Sequence, residues 1–149
     1  MMKRLISLLR DRAGTVTIEL AMVAPILAAM LIGLIDLSTA YSNKLRLEQV
    51  AQRTIEKVMQ SSFKIADAAT LKTEAEAEAG AGATATVTYW LECNGVPVTG
   101  TTPAAAFASE CSEGAQYSRY VQVSIVKPHT ALIMTQSWNI VGVAGIRIQ

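Results

Sequence analysis

The side chains that could do chemistry in this 149-residue chain are few and far apart. Cys93 and Cys111 are the two cysteines, His129 is the one histidine, Glu74, Glu76 and Glu78 alternate along one stretch, and Glu19 stands alone at the head of a long apolar run. Two cysteines and one distant histidine do not make a zinc site, which needs more ligands. The cysteine spacing is not Cys-x-x-Cys, so a redox-active pair is not expected. The three glutamates fall on a predicted helix, where they are expected not to share a face and to form a solvated surface. No nucleophile motif, phosphate loop or ligand cluster is present. Neither enzymatic activity, a metal nor a cofactor is expected. Lysine and arginine number 13 against 12 acidic residues, for a net charge of +1. A general nucleic-acid binder would need a basic excess, so none is expected as a partner.

Glu19 draws its interest from the element that must carry it. From Leu20 to Ile35 no residue is charged, and extending back to Thr15 adds only Glu19. As a helix, these 21 residues are about 32 Å long, roughly the hydrocarbon thickness of a bilayer. A buried helix of a soluble domain would show a polar stripe, and this run has none. The chain is 51% hydrophobic with a mean hydropathy of +0.32, and this run concentrates the excess. Residues 1–14 carry Lys3, Arg4, Arg10 and Arg12 against Asp11. The positive-inside rule keeps that end cytoplasmic and sends the rest of the chain across. The reading is a basic cytoplasmic leader at 1–14 and a transmembrane helix at 15–36. Pro25 lies inside the helix, where membrane proteins tolerate a mild kink.

Beyond the span the pattern turns amphipathic. Leu47, Val50, Ala51, Thr54, Ile55, Val58, Met59 and Phe63 recur at helical spacing, which predicts one helix running to about residue 62 with a face that must dock. A second helix is predicted with Asp67 as N-cap and Gly80 as its stop, completing an amphipathic helical region at 37–80. From residue 83 the period changes to two. Strands are predicted at 83–92, 117–126 and 138–148, the last weakened by Gly142 and Gly145. Pro128 is expected to break the chain, and Ala131–Thr135 fits either type. The exported part, 81–149, is thus β-rich. The expected fold class is α+β: a long N-terminal transmembrane and amphipathic helix packed against a small antiparallel sheet.

Cys93 and Cys111 lie in the part expected to cross the membrane, into a compartment that oxidises thiols, so a disulfide is expected. It would close a Gly- and Pro-rich loop expected to bury little, and contribute on the order of 3 kcal/mol. Glu19 has a neighbour with which it could act. If the chain were cut after Gly14, Thr15 would carry a new amine one helical turn from Glu19. In an assembly of packed membrane helices that amine and carboxylate could be buried together, and removing either would strand the other.

The order of a basic leader, Gly14-Thr15-Val16-Thr17-Ile18-Glu19 and an apolar helix resembles a prepilin processing site. More narrowly, Arg12-Ala13-Gly14, Thr17-Ile18-Glu19-Leu20-Ala21, Pro25, Gly33-Leu34-Ile35-Asp36-Leu37, Tyr41 and Leu45 to Ala51 resemble the TadE-like proteins, pilin-like components of the bacterial tight-adherence (Flp) pilus machinery. The resemblance implies a minor pilin or pseudopilin with a structural role in pilus biogenesis. It implies Gly14 as the cleavage residue, Thr15 as the new N-terminus and Glu19 as the characteristic acid. The implied partners are a prepilin peptidase, other pilins and pseudopilins, the inner-membrane assembly platform and membrane lipid. The implied location is the inner membrane, single-pass, N-terminus cytoplasmic, with the C-terminal domain periplasmic or incorporated in the pilus. The residue after Glu19 is Leu20 rather than the aromatic usual in the much shorter major pilins. Two other readings compete: a bitopic or secreted binding domain unrelated to pili. Ser38-Thr39-Ala40 offers small residues for signal peptidase.

Overall fold

The structure is a computed structural model, and it describes residues 13–132 and 137–148. Residues 1–12 of the leader and 133–135 of the ambiguous 131–135 segment lie outside the described residues. The order is α1 (Ala13–Ser61), α2 (Asp67–Ala79), β1 (Thr84–Cys93), β2 (Val96–Pro97), α3 (Pro103–Ala108), β3 (Tyr117–Thr130) and β4 (Ser137–Arg147). The four strands form one antiparallel sheet in the order β2-β1-β3-β4. This is the expected α+β arrangement. The chain divides into two compact units, one ending at Ser38 and the other beginning at Thr39.

In the second unit the amphipathic face of α1 docks as its spacing demands. Leu47, Val50, Ala51, Thr54, Ile55 and Val58 are all buried. They form one core with Val121, Val123 and Ile125 of β3, Ile140 of β4, and Leu71, Ala75 and Ala79 of α2. Met59, grouped with this face by spacing, remains 54% exposed. Thr54 is tolerated in the core because its hydroxyl donates to the Val50 carbonyl at 2.9 Å. The helix stops where Ser62 takes a left-handed φ of 53°, a conformation that ends helices.

Four local expectations need correction. Asp67 is not the N-cap of α2 but its first residue; Ala66 precedes it without a side-chain cap. The Asp67 carboxylate instead accepts from the Lys64 N–H at 3.1 Å. Pro128 does not break the chain. It pairs with Asn139 inside β3, where β1 has already ended at the Thr84–Val126 pair. Its missing donor faces that vacant side, so no ladder bond is lost. The loop between the cysteines is not idle either. Asn94 and Gly95, with φ of 51° and 79°, form a two-residue hairpin turn between β1 and β2. Thr102 then caps α3, accepting from Ala105 N, with Pro103 at the helix start. That short helix buries Ala106 and Phe107.

The glutamates are the fourth correction, in their surroundings only. The three do not share one face, as expected, but Glu74 and Glu78, four residues apart, do, and they form ion pairs rather than a merely solvated surface. Glu78 pairs with Arg53 at 2.8 Å and Glu74 with Lys57 at 2.9 Å. Since Arg53 and Lys57 are also four apart, the two pairs zip α1 to α2 in antiparallel sense. Arg46 adds a bond to the Glu78 carbonyl at the C-terminal end of α2, where a cation is favoured. Glu76 points elsewhere and accepts the Ala85 N–H of β1 at 3.0 Å.

Candidate membrane and processing segment

Among the described residues, the first unit presents an apolar helix whose large side chains are exposed. Ile18, Leu20, Met22, Val23, Ile26, Leu27, Met30, Leu31, Ile32, Leu34, Ile35 and Leu37 are between 40% and 73% exposed. The most apolar 18-residue window has a hydropathy of 2.4 and none of it is buried. Twelve large apolar side chains left in water would forgo on the order of 10–20 kcal/mol of burial. Such a surface needs lipid or other apolar helices. The segment is a membrane anchor or a signal by length and composition. Pro25 lies within the continuous helix.

The sequence-predicted site residues fall as follows. Gly14 and Thr15 lie in the first turn of α1. Glu19 is exposed one turn beyond Thr15 and shares the apolar surface with Ile18 and Leu20. The next acid, Asp36, closes the span and is partly buried. Among the described residues, no group of three or more His, Cys, Asp or Glu side chains could hold a metal ion. His129 is a buried strand residue whose ring lies 4.9 Å from that of its cross-strand partner Trp138.

Cys93 and Cys111 are joined as a disulfide, with Cα atoms 5.7 Å apart. The bond ties the end of β1 to the chain leaving α3. That linkage holds Phe107 in an aromatic trio with Phe63 and Tyr89, ring centroids 5.3 to 5.9 Å apart. Arg119 of β3 secures the same loop, donating to the carbonyls of Phe107 and Ser109 at 3.2 and 3.3 Å. Arg119 and Phe107 were not singled out by sequence. A Thr-Pro helix start signals α3, whereas a lone arginine in an alternating strand signals nothing. The Lys57 ammonium is raised above its ordinary pKa, chiefly by its hydrogen bond to Glu74, with slight desolvation opposing.

With this geometry in place, comparison with known proteins is informative on one segment. Residues 14–55 match the family model described as TadE-like protein. The matched stretch starts at the glycine of the expected cut, takes in the whole exposed apolar helix and ends inside the docking face of α1. Over that stretch, a little more than a quarter of the chain, the sequence is similar to TadE-like proteins. No curated protein and no solved structure matches the chain.

Proposed function

We propose that this chain is a minor pilin or pseudopilin of a tight-adherence, type IVb-like pilus assembly system. In this reading a prepilin peptidase cuts after Gly14, and the mature chain begins at Thr15. The apolar helix holds it in the inner membrane, N-terminus cytoplasmic and sheet domain periplasmic, among other pilins and the assembly platform. The observation that carries the reading is a coincidence of three features in 14–55: the family match, a wholly exposed apolar helix, and a single acid one turn past the expected new N-terminus.

The chemistry of the cut end follows from helix geometry. An amine at Thr15 lies on the same helical face as the Glu19 carboxylate. In a bundle of packed helices the pair would neutralise itself or its neighbour's equivalent, which lowers the cost of placing Glu19 in apolar surroundings. The test is Gly14→Arg. A side chain of that bulk and charge should block the cut, so the variant accumulates in the membrane 14 residues longer than the wild type. A variant that matures normally contradicts the assigned site.

A further inference from the structure

One end of the sheet unit differs in chemistry from the rest. Within that unit α1 and β4 run side by side in the same direction. Lys44 Nζ donates to the Val141 carbonyl at 3.1 Å and Leu47 backs onto Gly142. Further along, Val58 and Phe63 line one cavity with Ile146 and Ile148. Four residues of strand, about 13 Å, separate Gly142 from Trp138, and eight residues of helix, about 12 Å, separate Leu47 from Thr39. Trp138 therefore lies about level with Thr39, where the chain enters the unit. Ala40 and Ile140 share the core just above that level. The described residues that build this end, 39–43, 128–132 and 137–139, include no Asp, Glu, Lys or Arg. Its one histidine, His129, is buried beside Trp138. Tyr41, Leu132 and Trp138 are instead 62%, 67% and 43% exposed. The opposite end carries Lys64, Asp67, Glu92 and Arg119. Exposed Tyr and Trp rings without charges around them are the composition of a membrane–water interface, where amphipathic rings sit at headgroup level.

We propose that this end of the sheet unit lies in the interfacial layer of the bilayer, with Leu132 and Trp138 as a membrane contact additional to the apolar helix. Chain connectivity supports the choice of lipid as the occupant. Leu37, at the end of the exposed apolar run, precedes Thr39 by two residues of a continuous helix, about 3 Å. Packed elements lie roughly 10 Å apart axis to axis, so Trp138 stays about that far from Thr39 whatever angle the two units make. The headgroup layer is itself about 5–7 Å deep on each side of the hydrocarbon. The tether thus keeps Leu132 and Trp138 within reach of that layer without any fixed orientation of the sheet unit. The step rests on the membrane reading above.

The chain's two tryptophans supply the test and its control. Trp90 pairs with Tyr120 and Trp138 with His129, nine residues apart on β3, or about 30 Å. The full chain is reconstituted in phosphatidylethanolamine–phosphatidylglycerol vesicles whose acyl chains are brominated near the headgroup. Trp90→Phe leaves Trp138 as the reporter, and its emission should fall roughly twofold relative to unbrominated vesicles. Trp138→Phe leaves Trp90, whose emission should stay nearly unchanged. Unquenched Trp138 marks an aqueous or protein surrounding and overturns the proposal, as does equal quenching of both residues. Should Trp90→Phe not fold, the difference between the native chain and Trp138→Phe reports Trp138 instead. Leu132→Asp, at an exposed position, should relieve the quenching of Trp138 with the melting temperature of the domain unchanged; undiminished quenching overturns the proposal. Alkaline carbonate extraction of the same vesicles separates the two ideas. A retained chain with unquenched Trp138 removes only the interfacial contact, whereas a released chain removes the membrane reading beneath it.

Discussion

Gly142 shows what a single residue decides here. A Cβ at that position would lie 2.6 Å from Glu48 N and 2.7 Å from Leu47 Cβ, so α1 and β4 touch backbone to backbone. Gly142→Ala should therefore destabilise the domain by roughly 1–3 kcal/mol through overpacking. Urea denaturation checks this, and unchanged stability would contradict the close approach. In sequence this glycine weakened a strand assignment, although glycine in a strand also marks such an approach. Only the partner helix could tell the two apart. Lys57 sets the opposite scale. Its pKa is raised above 10.5 by Glu74, so the pair's contribution is present at neutral pH and lost as pH rises through the raised value. The pair is about half exposed, and Lys57→Ala should cost no more than about 0.5 kcal/mol at pH 7 in a urea titration. A larger loss would mean that the α1–α2 zip matters more than its exposure suggests.

At the scale of elements, legibility followed periodicity. The docking face of α1 and the inward residues of β1 and β3 could be read directly, because burial on one face imposes a repeat. The segment from Asn94 to Gln116 has no repeat, and its order comes from a hairpin turn, a cap, a disulfide and Arg119, which act through contacts distant in sequence. Pro128 was misjudged for a related reason: whether proline breaks a strand depends on which neighbour is missing. Replacing both Cys93 and Cys111 by alanine should lower stability by about 3 kcal/mol and loosen α3. Near-ultraviolet circular dichroism should report the loss of the Phe63–Tyr89–Phe107 packing. Thr102→Ala should cost about 1 kcal/mol through the lost cap, and a neutral result would show that the disulfide alone holds the helix.

For the whole molecule, the near-neutral net charge conceals an uneven distribution. Residues 1–14 carry +3, residues 15–36 carry −2, and the remainder is neutral, which sums to the overall +1. A basic end, an apolar helix and a body whose opposite charges balance are what an address and its cargo would look like. The apolar helix was the most legible feature, because a run without a polar stripe has few physical homes. The surface of the sheet domain was the least legible, since edges are defined only once strands are ordered. The account's central claim is that the address is cut at Gly14 to make a pilin-like N-terminus. The measurement that tests it most directly is the N-terminal residue of the protein recovered from producing cells. The account predicts Thr15. Tyr41 would mean secretion after signal-peptidase cleavage, and an intact Met1 a plain membrane anchor; either contradicts it.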